Sequence, residues 1–146
     1  MVLTKTQSTV AFLLGCIPLR TLLAYITYRL GTASPVSSIE SSISTSSATE
    51  TASILETSYS IIRTLIIVIL MGIGISFLIL YFKNLRLDAP EAGGKTWWNN
   101  LRPIHGLLYV AAGTMLLIPN LKSYAWLALI IDVILGLSSW ILHRLY

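Results

Sequence analysis

The most constraining feature of this sequence is a block of apolar residues at 61–82, in which Arg63 is the only charged residue. A helix crosses the hydrocarbon core of a bilayer with about 20 mostly apolar residues, so this block predicts a transmembrane helix. Three further blocks, at 10–30, 103–118 and 124–143, lead to the same prediction. The pattern therefore predicts an all-α fold, a four-helix transmembrane bundle.

The composition excludes several other classes of protein. The chain has 146 residues, enough for one domain, and 55% of them are hydrophobic while only 11% are charged. A soluble domain carries about 25% charged residues. This excludes a soluble enzyme, a disordered chain and a nucleic-acid module that binds through a basic face. A single cysteine, Cys16, excludes a disulfide framework and the usual zinc spacings, so no metal site is expected.

The segments between the blocks differ in kind. The segment at 31–60 is dominated by serine and threonine and has no lysine or arginine, which predicts a flexible, solvated loop. A basic loop with two tryptophans follows at 83–102, and the short turn at 119–123 predicts an antiparallel helical hairpin. Short tails at 1–9 and 144–146 complete the chain.

The lysines and arginines near the helix ends predict the orientation, because they are enriched on the cytoplasmic side. One side of the predicted bundle has six of them and the other has three. Both termini are therefore expected on the cytoplasmic side, with the 31–60 loop opposite. The six are Lys5, Lys83, Arg86, Lys95, Arg102 and Arg144, and the three are Arg29, Arg63 and Lys122.

The first block also resembles a processing signal, because Leu13-Leu14-Gly15-Cys16 is similar to a bacterial lipoprotein box. The apolar stretch before Cys16 is shorter than a typical signal-peptide core, and the hydrophobicity continues after it. An uncleaved first helix is the better interpretation, with Cys16 one helical turn from Arg20 and expected to be a buried, inert thiol.

Two charged residues lie inside predicted helices. Arg20 is near the middle of the first block, and Asp132 is the only acid in any of the four. Placing a charged side chain at that depth in a membrane costs on the order of several kcal/mol, unless the charge is paired or hydrated. We expect Arg20 and Asp132 to form an ion pair. The pair either fixes the helix register or belongs to a proton or ion pathway.

A second cluster of polar and aromatic residues precedes the third block. Trp97 and Trp98 are expected at the headgroup level of the membrane. Asn100, Arg102 and His105 follow at the predicted inner end of the third helix. Their polar groups suit capping of the helix, binding of lipid phosphate or docking of a protein partner. Membrane anchoring and partner docking therefore both remain open for this cluster.

Other chemistry has weaker support. His105 and His143 both fall at inner helix ends, and two facing histidines can ligate haem or a metal, but no third ligand accompanies them. No motif joins a nucleophile, a base and an acid, so we expect no enzyme, no catalytic residue and no cofactor. Gly106 and Gly113, seven residues apart, predict a seam where another helix packs closely.

The residues that carry a family resemblance are CIPLR at 16–20, the stretch at 93–109 that contains WWNNLRPIHG, and DVILG at 132–136. Together they resemble a group of small, functionally uncharacterised multi-pass membrane proteins of nucleocytoplasmic large DNA viruses, the giant viruses of algae among them. The quoted stretches make up less than a fifth of the chain. The Ser/Thr-rich segment is outside the match.

The resemblance implies a viral protein in the inner membrane of a virion, beneath an icosahedral shell, and no catalytic residues. The expected role is structural and capsid-associated: the protein anchors or scaffolds the membrane against the capsid or another membrane protein. Its expected partners are the lipid bilayer and those proteins, and an oligomer is compatible with this role. The alternative is a small channel or transporter subunit with a polar path through Arg20, Asp132 and His105.

Overall fold

The computed structural model describes residues 7, 9–10, 12–32, 46–89 and 94–145 of the chain. The fold is all-α, as the sequence predicts. A π-helical turn at Phe12–Cys16 leads into the first helix, and a tight connection joins the last two. The four helices are α1 (Ile17–Thr32), α2 (Ser46–Phe82), α3 (Arg102–Leu117) and α4 (Ala125–Leu145).

The connections contain only small regular elements. Between α2 and α3, β1 (Asp88–Ala89) pairs with β2 (Gly94–Lys95) in antiparallel register, with Asp88 opposite Lys95. A 3₁₀ turn at Asn99–Leu101 then leads into α3, and another at Lys122–Tyr124 leads into α4. The connection from Leu117 to Ala125 is short enough to keep α3 and α4 antiparallel.

Two helical stretches of the described chain are long and apolar enough to cross a membrane, Ser53–Phe82 and Lys122–Leu145. They indicate a membrane protein. By contrast, α3 has 16 residues and a length of about 24 Å, which is shorter than the roughly 30 Å core of a bilayer. Both α3 and α4 begin and end within two residues of the blocks at 103–118 and 124–143.

The predicted flexible loop at 31–60 is wrong over residues 46–60, which are the first part of α2. Residues 33–45 lie outside the described chain. Extending an existing helix costs far less than nucleating one, so the strongly apolar helix that follows can carry the Ser/Thr-rich residues with it.

The helices pack in the order α2, α3, α4, α1, and α1 touches α2 at few positions. One such contact is made by the Tyr59 hydroxyl, which donates to the carbonyl oxygen of Leu30. Small and large apolar residues alternate in the core that results. It contains Ala24, Leu70, Tyr109, Ala112, Leu116, Ala125, Ala128 and Leu129.

Glycines set the approach of α2 to α3. A Cβ atom added at Gly74 would lie 2.7 Å from the carbonyl oxygen of Gly106, and one at Gly106 would lie 2.9 Å from that of Gly74. One Cβ at Gly113 would lie 3.0 Å from the sulfur of Met71. The seam predicted from Gly106 and Gly113 is therefore present. Gly72, in contrast, faces open space.

Pro18 explains the irregular start of α1. It lacks the N–H that would bond to the carbonyl four residues earlier, and its ring clashes with that carbonyl in a regular α-helix. The chain widens into the π-helical turn Phe12–Cys16 just before it, which is the usual place for such a turn. The α-helix then continues through Pro18 to Thr32.

Candidate functional site

The register of α1 against α4 brings the charged residues to the same level. Phe12 stacks on Trp140 with ring centroids 5.8 Å apart, and Tyr28 meets Trp126 edge to face at 5.6 Å. These two pairs lie near opposite ends of the interface. Because the helices run antiparallel, Arg20 lies eight residues from Phe12 and Asp132 lies eight residues from Trp140.

The predicted ion pair is present between those two residues. Arg20 Nη1 donates to Asp132 Oδ2 over 2.9 Å. The Asp132 carboxylate is completely buried, and the Arg20 side chain is 18% exposed. Burying a carboxylate costs on the order of several kcal/mol in lost hydration, unless its oxygens accept hydrogen bonds. The second oxygen therefore also needs a donor.

His105 of α3 provides that donor. Its Nδ1 lies 2.5 Å from Asp132 Oδ1, and the histidine is 4% exposed. A carboxylate beside an arginine only accepts, so Nδ1 carries the hydrogen in this pair. Arg20 Nη1 and His105 Nδ1 are 3.4 Å apart, and as two donors they do not bond to each other. Arg20, Asp132 and His105 thus form a buried triad from three helices.

Small and aromatic neighbours surround the triad. Gly136 leaves room for the guanidinium, because a Cβ atom there would lie 3.3 Å from Arg20 Nη1. The ring of Phe77 in α2 lies 6.0 Å from Arg20 Cζ and 6.2 Å from the His105 ring. Tyr109, one turn after His105, is buried and its phenol also interacts with Asp132. All four helices therefore contribute to the site.

Two residues predicted at the docking surface are buried instead. His105 belongs to the triad because the first turn of α3 packs against α4, where its Nδ1 reaches Asp132 Oδ1. Arg102 is 3% exposed, and its guanidinium donates to the carbonyl oxygens of Leu85 (2.8 Å) and Arg86 (2.7 Å). Arg102 therefore holds the connection between α2 and α3 together, and its guanidinium is not exposed to a partner.

The other three predicted docking residues remain accessible. Asn100 is exposed, and the two tryptophans are half-buried with their rings edge to face at 5.1 Å. Trp97 also stacks on His143 of α4, with the ring centroids 4.6 Å apart and the planes 12° from parallel. His143 and His105 therefore have separate partners, and the described residues contain no group of three metal ligands.

A cavity of about 220 Å³ lies between the triad and the tryptophans. Arg20 and His105 line one side, and Trp97 and Trp98 line another. Cys16 also lines it, and its thiol is exposed. The expectation of a buried, inert thiol is wrong, because the π-helical turn places this cysteine at the end of α1 beside the cavity.

The cavity is lined by basic side chains and is closed at the end that faces the α3–α4 turn. Three arginines line it, Arg20, Arg86 and Arg102, and no acid is among the described residues that do so. From the triad towards the α3–α4 turn, the space between the helices is filled by the apolar core. Leu116 and Leu129 of that core are at most 1% exposed. The site is therefore a pocket that opens on the tryptophan side.

Sequence reasoning missed two contributors to this pocket. Gly136 lies one helical turn from Asp132 and shares its face of α4, and that spacing was a usable signal. Arg86 entered the prediction only through its charge. Its positive φ of 54° belongs to an irregular turn after α2, where Asn84 also has a positive φ of 49°. No periodic pattern reports such a turn.

No protein-family model, curated protein or solved structure matches this chain.

Proposed function

We propose that this chain is a structural integral membrane protein. Its four helices all cross the bilayer, and the protein anchors the membrane to a partner. The observation that carries the proposal is that the charged side chains inside the bundle bind other parts of the bundle. Arg20, Asp132 and His105 bind each other across three helices. Arg63 donates from Nε and Nη2 to the carbonyl oxygen of Leu116 over 3.1 and 2.5 Å.

The packing supports four spans although only two helices reach the usual length. From Phe12 to Tyr28, α1 and its π-helical turn follow α4, which is itself long and apolar enough to cross. Between them, α2 and α4 enclose α3. Helices packed side by side along a spanning helix cross the same depth of lipid. The shortness of α3 is accommodated by the pocket at its inner end.

The length of α2 supports an anchoring role. Its 37 residues extend about 55 Å, roughly 25 Å more than a bilayer core. Arg63 lies level with Leu116 near the end of α3, and Tyr59 contacts Leu30 at the end of α1, so only residues 46–58 extend beyond the bundle on the α3–α4 turn side. That side is opposite the basic loop, and residues 53–58 are exposed there. We propose that this extension contacts the partner.

The setting that we propose is the inner membrane of a virion, on the resemblance of WWNNLRPIHG and its companion segments to giant-virus membrane proteins. The partner is then a capsid protein or another virion membrane protein. With the basic loop on the cytoplasmic side, both termini lie there too. The same architecture serves any membrane that must be held at a fixed distance from a protein layer.

The test combines quantification in purified particles with site-specific cross-linking. In a Cys16→Ser background, Ser58→Cys places a reactive thiol on the exposed α2 extension. Ser76→Cys is the matched control, because it is an exposed position of the same helix within the membrane-spanning part. We expect a fixed ratio to shell proteins and a protein cross-link from position 58 only. Absence from particles, or equal cross-linking from both positions, would contradict the proposal.

The second candidate is a channel or transporter subunit, and one observation favours it: the triad lies at the closed end of a cavity. Transport then requires an opening through the core at Leu116 and Leu129. Proteoliposomes that contain the wild-type chain and a pH-sensitive dye test this directly. A proton flux that Asp132→Asn abolishes would support transport, and no flux above that of empty vesicles supports the structural role.

A further inference from the structure

We propose that Cys16 is a site of S-acylation, and that His105 is the base that activates its thiol. The acyl donor is a long-chain acyl thioester. The proposal goes beyond the structural role, and its test needs neither a membrane nor a partner. Two independent features of the pocket support it, an exposed thiol and a buried histidine whose second ring nitrogen reaches the same space.

The tautomer of His105 leaves that second nitrogen free to accept a proton. Nδ1 carries the hydrogen that is donated to Asp132 Oδ1, so Nε2 of the neutral ring has a free lone pair. Among the described residues, the only fully buried side-chain nitrogen or oxygen without a hydrogen-bond partner is Thr27 Oγ1. Nε2 has no described partner either, so it is not fully buried and reaches the pocket that His105 lines. The carboxylate behind the ring fixes its orientation and its tautomer, as in catalytic triads.

The packing of the first helix against α4 places the thiol at the height of this histidine. Cys16 lies midway between Phe12 and Arg20, the two residues that contact α4 by ring stacking and by the ion pair. Gly136 lies midway between the two α4 residues that they contact. A Cβ atom on Gly136 would lie 3.8 Å from His105 Cε1, the ring carbon next to Nε2. Thiol and imidazole therefore border the same part of the pocket, where Gly136 has no side chain to separate them.

The reaction is an exchange of one thioester for another. Cys16 Sγ attacks the carbonyl carbon of the acyl donor, and the proton of the thiol passes to His105 Nε2. The bond between that carbon and the sulfur of the donor then breaks, and His105 returns the proton to the departing thiolate. The exchange requires no oxidant or reductant. Asp132 keeps its charge throughout and orients the imidazole.

The surroundings of Cys16 favour a long acyl chain over a small electrophile. Three aromatic residues line the pocket, and Leu13 and Leu14 of the same π-helical turn are 37% and 73% exposed. This apolar surface can accept an acyl chain that leaves the pocket beside the helix. Cysteines at the membrane end of a helix are also a common position of reversible S-acylation.

The test measures acyl transfer to the purified chain in detergent. The probe is palmitoyl-CoA, and intact-mass spectrometry follows an added palmitoyl group that neutral hydroxylamine removes, as it does from a thioester. Leu14→Cys in a Cys16→Ser background is the matched control. Position 14 belongs to the same turn and is also exposed, but it is not among the described residues that line the pocket.

We expect transfer to the wild-type chain to be at least about 100-fold faster than transfer to this control, which is the lower end of the contribution of a general base. A thiol that reacts only because it is exposed at a helix end would react equally fast at position 14. That result, or the absence of a hydroxylamine-sensitive adduct on Cys16, would overturn the proposal. Neither comparison depends on a substitution in the buried triad.

His105→Gln and His105→Ala test the base directly. Glutamine can still donate to Asp132 but has no basic nitrogen, so the rate per folded chain should fall to that of the control at position 14. In His105→Ala, free imidazole should increase the rate by about tenfold or more, because it replaces the missing base. Thermal unfolding in the same detergent gives the folded fraction of each variant. An unchanged rate in His105→Gln, or no rescue of folded His105→Ala by imidazole, would overturn the role of the histidine.

Discussion

The α1–α4 and α2–α3 interfaces hold helices together by different means. Between α1 and α4, side chains meet at three levels, an aromatic pair at each end and the ion pair of Arg20 and Asp132 in the middle. Between α2 and α3, backbones meet at Gly74 and Gly106. Within a bilayer there is little hydrophobic force between helices, so polar contacts and close packing must supply the attraction. One interface depends on charge and the other on the size of side chains.

The two interfaces are joined at adjacent residues of α3. The His105 side chain binds Asp132 in α4, and Gly106 places its backbone against α2. A shift of α3 that improves one contact therefore disturbs the other. A substitution that disrupts one interface should therefore also disturb the other, because both involve α3. The two interfaces are distinguished by which second substitution restores stability.

The largest expected effect is that of Asp132→Leu, which breaks the polar interface. It removes the acceptor shared by the buried His105 Nδ1 and the partly buried Arg20 guanidinium, so we expect the free energy of unfolding to fall by about 3–5 kcal/mol. Thermal unfolding in detergent measures the change. Asp132→Asn, which can still accept hydrogen bonds, should lose less.

The charge exchange Arg20→Asp with Asp132→Arg sharpens this test. The exchange would fully rescue an isolated ion pair, but the structure places His105 against residue 132, where an arginine would face a second donor. We therefore expect only partial rescue, improved further by His105→Gln. A charge exchange that restores the wild-type stability would show that the histidine contact is not energetically coupled to the pair.

The next effect concerns the connection that brings α3 alongside α2. Arg102→Met removes donors from the carbonyl oxygens of Leu85 and Arg86 and from Asn99 Oδ1. Hydrogen bonds to a charged group contribute about 1.5–3 kcal/mol, so we expect a loss in that range. Lys83→Met is the control, with no change expected. If Arg102 instead docks a partner, its loss would weaken partner binding and leave thermal unfolding unchanged.

These predictions show which parts of the molecule can be inferred from the sequence. The lengths of the hydrophobic blocks and the proline–asparagine turn between them predict α3 and α4. The bounds of these two helices can be predicted because they depend on local composition. The meeting of Arg20 with Asp132 was predictable because an unpaired charge in lipid is so costly that a partner at equal depth is nearly required. The third member of the triad depends on how deep α3 begins, which the apolar pattern does not report.

The misassigned residues have a common physical cause. Composition describes what a segment can bury, and the Ser/Thr-rich residues 46–60 have little apolar surface to bury, yet they continue the helix formed by the apolar residues that follow. Arg102 was assigned to the surface by its charge, but carbonyl oxygens of an irregular turn provide acceptors for it. Both cases depend on contacts with distant or irregular backbone, which single-residue propensities omit.

The shape-dependent interface is tested by a matched pair of glycine substitutions. At Gly74 an alanine Cβ would lie 2.7 Å from the Gly106 carbonyl oxygen, whereas at Gly72, two residues earlier, no atom lies within 4 Å. We expect Gly74→Ala to lower stability by about 1–3 kcal/mol through overpacking, and Gly72→Ala to leave it unchanged or slightly higher. Equal effects at both positions would mean that the change in stability comes from the backbone flexibility of glycine and not from close packing of the helices.

The smallest expected effect tests whether the basic loop also holds α4. Trp97 stacks on His143 near the end of α4, and aromatic pairs contribute about 0.5–1.5 kcal/mol beyond their buried area. Trp97→Ala and His143→Ala, alone and combined, give the coupling energy by a double-mutant cycle. Hydrogen exchange at 140–145 should rise equally in both single variants. A coupling near zero would separate the loop from α4, and the pocket would then depend on the α2–α3 connection alone.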